Sequence, residues 1–168
     1  AVGTDVLALK TTARRDGDVF RLTGTKTFIT NGGISDTDLG DCFIVYAATA
    51  PKTSSSFQAE KGMPGFALGQ QWKDKLGMRA SFTAELVFDE VPVPLANQIG
   101  ADGEGTIHMM RNLEIERVTL AAMSLGIAQR SLQVMVDYAN ERKAFGKAIR
   151  EFGQIQRHVA ESFAEGRS

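Results

Sequence analysis

Residues 105–140, GTIHMMRNLEIERVTLAAMSLGIAQRSLQVMVDYAN, carry apolar side chains at intervals of three and four and contain no proline. That recurrence over about ten turns is the signature of a long α-helix. A second helical pattern runs from Phe152 to Ala164, joined to the first by Arg142-Lys143-Ala144-Phe145-Gly146. Two antiparallel helices bury little by themselves. Stripe residues such as Leu125, Leu132 and Met135 therefore require further helices or a partner subunit to cover them.

Upstream of this helix the chemistry differs. All four prolines (Pro51, Pro64, Pro92, Pro94) and 11 of the 17 glycines lie in residues 1–100. There, short β-prone runs alternate with turn residues, predicting strands at Val6 to Arg14, Val19 to Leu22, Lys26 to Thr30, Cys42 to Ala48, Phe66 to Lys73 and Thr83 to Asp89. Asp16-Gly17-Asp18 predicts a hairpin between the first two. Residues 49–58, with Pro51 and the run Ser54 to Ser56, read as an exposed loop. The fold expected is α+β: a small antiparallel β-barrel or sandwich over residues 1–100, then long α-helices of an incomplete bundle over residues 101–168. The sequence lacks an initiator Met and stops at Gly166-Arg167-Ser168 soon after a helical pattern begins, so a piece of a longer protein is expected.

Charge and cysteine usage narrow the function classes. Residues 1–100 hold 10 basic and 11 acidic side chains and residues 101–168 hold 9 of each, which gives no basic footprint for nucleic acid or a membrane surface. No apolar run approaches the ~20 residues of a membrane span. The single cysteine, Cys42, excludes an internal disulfide and a cysteine-based zinc site, and its strand context predicts a small buried hydrophobe. His108 and His158 stand apart with no carboxylate pattern around them, so no metal site is expected. The glycine-rich run at 100–105 has the wrong spacing for a dinucleotide fingerprint and reads as a hinge into the helix.

The residue that asks for an explanation is Glu116. On an ideal helix it lies within about 60° of Met109, Leu113, Leu120 and Met123, placing a carboxylate inside an apolar stripe. Burying a bare carboxylate costs several kcal/mol unless it is paired, hydrogen-bonded or protonated. Two readings stand: a structural ion pair with an arginine across a helix interface, or a general base whose pKa is raised by desolvation. Glu114, three residues before Arg117, reads as its surface partner.

Four strings, TKTFITNG at 25–32, EKGMPGF at 60–66, DKLGMR at 74–79 and ERKAFG at 141–146, occur in the order and spacing of one family. With them, the chain resembles the acyl-CoA dehydrogenases over essentially its whole length. EKGMPGF and LEIER look most like the isovaleryl-CoA branch. The resemblance implies a middle β-domain followed by the first helices of a C-terminal helical domain, with FAD held between β-domain and helices. It implies that Phe28, Ile29 and Thr30 pack on the isoalloxazine ring and that Gly3 and Thr4 lie near flavin and thioester. Arg142 and Phe145 correspond to residues that reach the FAD pyrophosphate and adenine of a neighbouring subunit; a guanidinium suits a diphosphate. Glu116 matches the catalytic base of the isovaleryl and some long-chain enzymes, Arg117 an arginine shaping the acyl site, and Glu114 a position facing CoA.

One position departs from the family: Gly153 stands where a glutamine is usual, so either Gln154 takes over that role or FAD is held by one side chain fewer. The implied activity is α,β-dehydrogenation of a short branched acyl-CoA, isovaleryl-CoA to 3-methylcrotonyl-CoA as in leucine degradation, with electrons passing to electron transfer flavoprotein. A homotetramer is implied for the full-length protein, in the mitochondrial matrix if eukaryotic and otherwise in the cytoplasm. The chain alone is expected to be inactive. The rivals are a dehydrogenase for long or other acyl chains and a non-catalytic scaffold that keeps the fold.

Overall fold

The structure, a computed structural model, describes residues 5–6 and 8–167. It divides into two units, residues 1–111 and 112–168. The first holds strands β1 (Thr12–Asp16), β2 (Val19–Thr30), β3 (Cys42–Ala50), β4 (Thr53–Glu60), β5 (Phe66–Gln71), β6 (Thr83–Pro94) and β7 (Gln98–Ile99). Helix α1 (Gly105–Glu141) follows, then the strand pair β8 (Lys143–Ala144) and β9 (Lys147–Ala148), and helix α2 (Gly153–Glu165).

The expected barrel or sandwich is corrected in two respects. The seven strands form one sheet in the order β5-β6-β2-β1-β3-β4-β7, with β5 and β7 as unjoined edges, so it does not close into a barrel. It is also mixed: β1 and β3 pair in parallel at Thr12 and Ala48, whereas the other pairs are antiparallel. Alternation along single strands specifies which face is buried but not which strand lies beside which. The hairpin at residues 16–19 forms as expected, with Gly17 at φ +61 in its turn.

The core is built from alternate residues: Phe20 and Leu22 of β2, Val45 and Ala47 of β3, Phe57 and Ala59 of β4, and Leu86, Phe88, Val91 and Val93 of β6. In β6 the buried phase jumps from Phe88 to Val91. Here the register against β2 shifts between Leu22 and Gly24, and Glu90 sits at φ +50. This bulge takes up the extra residue and lets a single 12-residue strand keep its apolar side inward on both halves. Cys42 is exposed, contrary to expectation, because it opens β3 ahead of the buried positions.

Residues 49–58 are not a loop. Ser54, Ser55 and Ser56 lie within β4 and are buried, at 4%, 0% and 1% exposure. Each hydroxyl finds a partner in the segment entering α1. Ser54 Oγ lies 3.1 Å from Thr106 Oγ1, Ser55 Oγ donates to Asp102 Oδ1 at 2.5 Å and accepts the Gly103 N–H at 3.0 Å, and Ser56 Oγ lies 3.0 Å from His108 Nδ1. Gly105 allows the close approach, since a Cβ there would lie 2.8 Å from the Ser54 carbonyl group. The glycine-rich run read as a hinge is thus fastened to the sheet. Ser55→Ala strands both Asp102 and the Gly103 N–H and is expected to lower stability by about 2 kcal/mol, read as a fall in the denaturant midpoint.

Helix α1 matches the expected span to within one residue and α2 to within one at each end. Within the second unit α1 is largely exposed: Ile115 (67%), Val118 (71%) and Ile127 (61%) face solvent, while Leu132 and Met135 are half-buried. An apolar groove of about 840 Å³ lies between the second half of α1 and α2, lined by Leu132, Val136, Ile155, Val159 and Phe163 among others. A helix apolar on several sides demands more covering than residues 112–168 supply.

Candidate functional site

The residues singled out from the sequence fall into three groups, each described within its own unit. Phe28, Ile29 and Thr30 end β2 beside β6, where Ile29 pairs with Ala84 and Thr30 with Thr83. A register shift between Lys26 and Ile29 forms a second bulge, and Phe28 occupies it at φ +60. A bulky aromatic residue at positive φ is strained and persists only where surrounding structure enforces it. The bulge turns the Phe28 ring outward, 63% exposed, while Ile29 packs against the core beneath. Thr30, also exposed, carries a hydroxyl at the same strand end.

Two neighbours of this group were not marked by sequence reasoning. The ring of Trp72, the chain's single tryptophan, lies 4.6 Å from the Phe28 ring and braces it from one side. Lys26 Nζ donates to the Tyr46 carbonyl at 2.7 Å and lines a small cavity of about 150 Å³ with Lys10, Thr11, Thr25, Thr27 and Ile29. Burial pushes the Lys26 ammonium down to about 8 from its ordinary 10.5.

That shift fixes a pH dependence. Below about 8 the amine is charged in both folded and unfolded states, so the cost of burying the charge is fully present. Between about 8 and 10.5 the folded chain releases the proton while the unfolded chain keeps it, so stability gains as pH rises through this window. The stability difference between wild type and Lys26→Met is expected to move in favour of wild type there, by at most about 1.4 kcal/mol per pH unit. Denaturant titrations of both at several pH values check this; a difference that stays constant refutes it.

The second group lies on α1. Glu116 is exposed in this chain rather than buried, and Asn112 Nδ2 donates to its Oε1 at 2.8 Å. Neither reading of a buried carboxylate is met within residues 112–168, because nothing in that unit covers the face bearing Leu120 and Met123. Glu114 and Arg117 are exposed and form no ion pair with each other, which corrects the expected surface partnership. Glu114, Glu116 and Arg117 therefore stand on one accessible stretch of helix with their charges uncommitted to salt bridges.

The third group is the turn after α1. Phe145 at φ +51 and Gly146 at φ +81 form the two-residue link between β8 and β9, and Phe145 is 94% exposed. Such turns ordinarily take Asn or Gly at the first position. The Phe145 ring lies 6.2 Å from that of Phe152, edge to face. Arg142 precedes the turn with its side chain exposed. At Gly153, the first residue of α2, an added Cβ would meet nothing within 4 Å, so packing does not forbid the glutamine of the expected pattern. Gln154 beside it is exposed. Gly3 and Thr4 lie outside the described residues.

Among the described residues no cluster of His, Cys, Asp or Glu is arranged to hold a metal ion. The first group instead offers an outward aromatic face with an adjacent hydroxyl, and the third an outward aromatic beside a guanidinium. Each taken within its own unit, the first group suits a flat aromatic ring and the third a diphosphate.

The chain is thus a mixed β-sheet followed in sequence by two helices, an α+β arrangement. Residues 1–91 match the acyl-CoA dehydrogenase middle domain and residues 103–168 match the acyl-CoA dehydrogenase C-terminal domain. The chain belongs to the acyl-CoA dehydrogenase family, a family of FAD-dependent oxidoreductases. It is 42% identical to a cyclohex-1-ene-1-carbonyl-CoA dehydrogenase of Geobacter metallireducens, covering 96% of this chain and 42% of that protein. It is 40% identical to a mitochondrial isovaleryl-CoA dehydrogenase of Oryza sativa subsp. japonica, covering 96% of this chain and 39% of the relative. An acyl-CoA dehydrogenase of Bacillus anthracis solved in complex with FAD superposes with a TM-score of 0.89 at 34% identity, covering 98% of this chain and 28% of that one. The chain thus spans roughly two fifths of the curated relatives' length.

Proposed function

We propose that the whole protein containing this chain is an FAD-dependent acyl-CoA dehydrogenase that oxidises a short branched acyl-CoA at its α,β bond, with isovaleryl-CoA as substrate and 3-methylcrotonyl-CoA as product. The observation that carries the proposal is the pair of family matches, which together include Phe28 to Thr30 and Glu116. Residues 1–100 serve as the middle β-domain and residues 101–168 as the start of the C-terminal helical domain. FAD, when bound, supplies the acceptor for the hydride that leaves the substrate β-carbon.

Glu116 takes the α-proton. Its carboxylate is free of any cation, and Asn112 orients it by donating to one oxygen, leaving the other available to the substrate carbon acid. Arg117 shapes the acyl site and Glu114 faces the CoA moiety. Phe28, Ile29 and Thr30 would seat the isoalloxazine ring, while Gly3 and Thr4 lie outside the described residues. Arg142 and Phe145 reach the pyrophosphate and adenine of the cofactor in a neighbouring subunit of a homotetramer. Electron transfer flavoprotein then takes up the electrons. The site of action is the mitochondrial matrix in a eukaryote and the cytoplasm in a bacterium. No helix among the described residues is long and apolar enough to cross a membrane.

The comparable identity to the Geobacter metallireducens protein, 42% against 40%, supports a second substrate reading. This is a ring-bearing acyl-CoA whose α,β bond is already unsaturated and which would lose its proton and hydride from other ring carbons to the same base and acceptor. Turnover of isovaleryl-, cyclohex-1-ene-1-carbonyl- and octanoyl-CoA by the whole protein separates the readings. A kcat/KM highest for isovaleryl-CoA supports the first, the cyclic substrate supports the second, and preference for octanoyl-CoA contradicts both.

A further inference from the structure

The segment Asp74-Lys75-Leu76-Gly77-Met78-Arg79 looks like a solvated surface loop, with two lysines, an arginine and an aspartate in residues 73–79. Its hydrogen bonds say otherwise for one member. Lys75 Nζ, half-buried, lies 2.6 Å from the Ser81 carbonyl, 3.2 Å from Ser81 Oγ and 2.8 Å from Thr83 Oγ1. An ammonium has three donors, and all three are taken up by two residues, Ser81 and Thr83. None remains for a ligand.

What these bonds hold is the start of β6. Thr83 pairs with Thr30, and its carbonyl accepts the Trp72 N–H at 2.9 Å; the neighbouring Phe82 carbonyl accepts the Asn31 N–H at 2.8 Å. Trp72 in turn braces the outward ring of Phe28. The loop is closed from the other side by Arg79 Nε donating to the Lys75 carbonyl at 2.6 Å, with the Arg79 guanidinium 3.2 Å from Asp74. One ammonium thus ties Ser81 to Thr83 at the start of β6, beside the end of β2 that carries Phe28 and Thr30.

We propose that Lys75 is a positioning residue for the flavin face: by tying Ser81 and Thr83 to one ammonium it fixes the strand junction that holds the Trp72–Phe28 ring pair and the Thr30 hydroxyl in place. This rests on the assignment of Phe28 to Thr30 as the isoalloxazine seat. Losing Lys75 leaves the Ser81 carbonyl and Thr83 hydroxyl without their charged donor and frees residues 74–82 to shift against β2. Since misplacement by about 1 Å at a reacting centre can cost up to a hundredfold in rate, the effect belongs in kcat per bound flavin rather than in KM.

The test uses the whole holoprotein and its Lys75→Met, Lys75→Arg and Thr83→Val variants, with visible flavin absorbance, flavin reduction potential, kcat and KM recorded for each. Lys75→Met is expected to alter the flavin band, shift the potential and lower kcat per bound flavin about ten- to a hundredfold, with KM changed less than about twofold. Lys75→Arg recovers part of the loss, because a planar guanidinium reaches some of these acceptors but not all three. Thr83→Val, nearly isosteric, shows the same changes to a smaller degree and decides the matter if Lys75→Met does not fold. A lower melting temperature with unchanged flavin band, potential and kcat per flavin in the folded variants overturns the proposal. A wild-type protein that carries no flavin overturns the functional assignment itself, and is told apart because it is read before any variant is made.

Discussion

Replacing Glu116 by glutamine in the whole protein is expected to reduce the rate of flavin reduction by acyl-CoA about 10³-fold, within the range typical of a lost general base. The carboxamide keeps the shape of the side chain and an oxygen for the Asn112 amide now at 2.8 Å, so the local helix is not disturbed. What it lacks is a basic oxygen for the α-proton. Because Glu116 is exposed in this chain and makes no salt bridge, the substitution carries no stability penalty from a broken ion pair. Flavin content, melting temperature and acyl-CoA affinity are therefore expected to stay close to wild type while the single-turnover rate collapses. Stopped-flow measurement of flavin bleaching reads the rate directly. Rates within a few-fold of wild type would place the base elsewhere and make Glu116 a structural residue.

The second large effect concerns the sheet. Phe57→Ala is expected to destabilise the chain by about 3–5 kcal/mol, a sizeable part of a typical domain's 5–15. The Phe57 ring is fully buried, packs 4.9 Å from the Phe20 ring across the core, and stands on β4 between β3 and β7. Its removal leaves a cavity that rigid strand pairing on both sides cannot close. Ile44→Ala on β3, where the side chain is 62% exposed, is the matched control and is expected to change stability by no more than about 0.5 kcal/mol. Urea denaturation of the two variants gives the comparison; near-equal midpoints would mean that β4 is not part of the core.

Phe57 also marks where sequence reading reached its limit. The long helix was legible almost to the residue because 3.6-residue periodicity without proline has few other meanings. The strand carrying Phe57 was not, since Ser54-Ser55-Ser56 beside Pro51 has the composition of a loop. What buries those serines is partnership with Asp102, Gly103, Thr106 and His108, about fifty residues further along. No local pattern encodes that. For the same reason the α+β class was legible but the antiparallel barrel or sandwich was not the sheet's form: a single parallel pairing, Thr12 with Ala48, makes it mixed, and two unjoined edges leave it open.

The candidate site was legible mainly through family strings, and the structure adds the physical features those strings do not contain. Phe28 and Phe145 are the two aromatic residues at positive φ among the described residues, both turned outward by a bulge or a tight turn. Trp72 was not marked because a lone tryptophan carries no pattern of its own, and Lys26 and Lys75 stand inside TKTFITNG and DKLGMR without anything in those strings assigning them a role. Glu116 was identified by its place in an apolar stripe. That stripe is real, but residues 112–168 leave it uncovered, so the carboxylate is accessible here.

The most direct test of the account is anaerobic mixing of the purified whole protein with isovaleryl-CoA while the visible flavin band is followed. Prompt bleaching, with formation of one enoyl-CoA per flavin, is the predicted result. A yellow protein whose flavin stays oxidised in the presence of isovaleryl-, cyclohex-1-ene-1-carbonyl- and octanoyl-CoA, or a protein that carries no flavin, would contradict it.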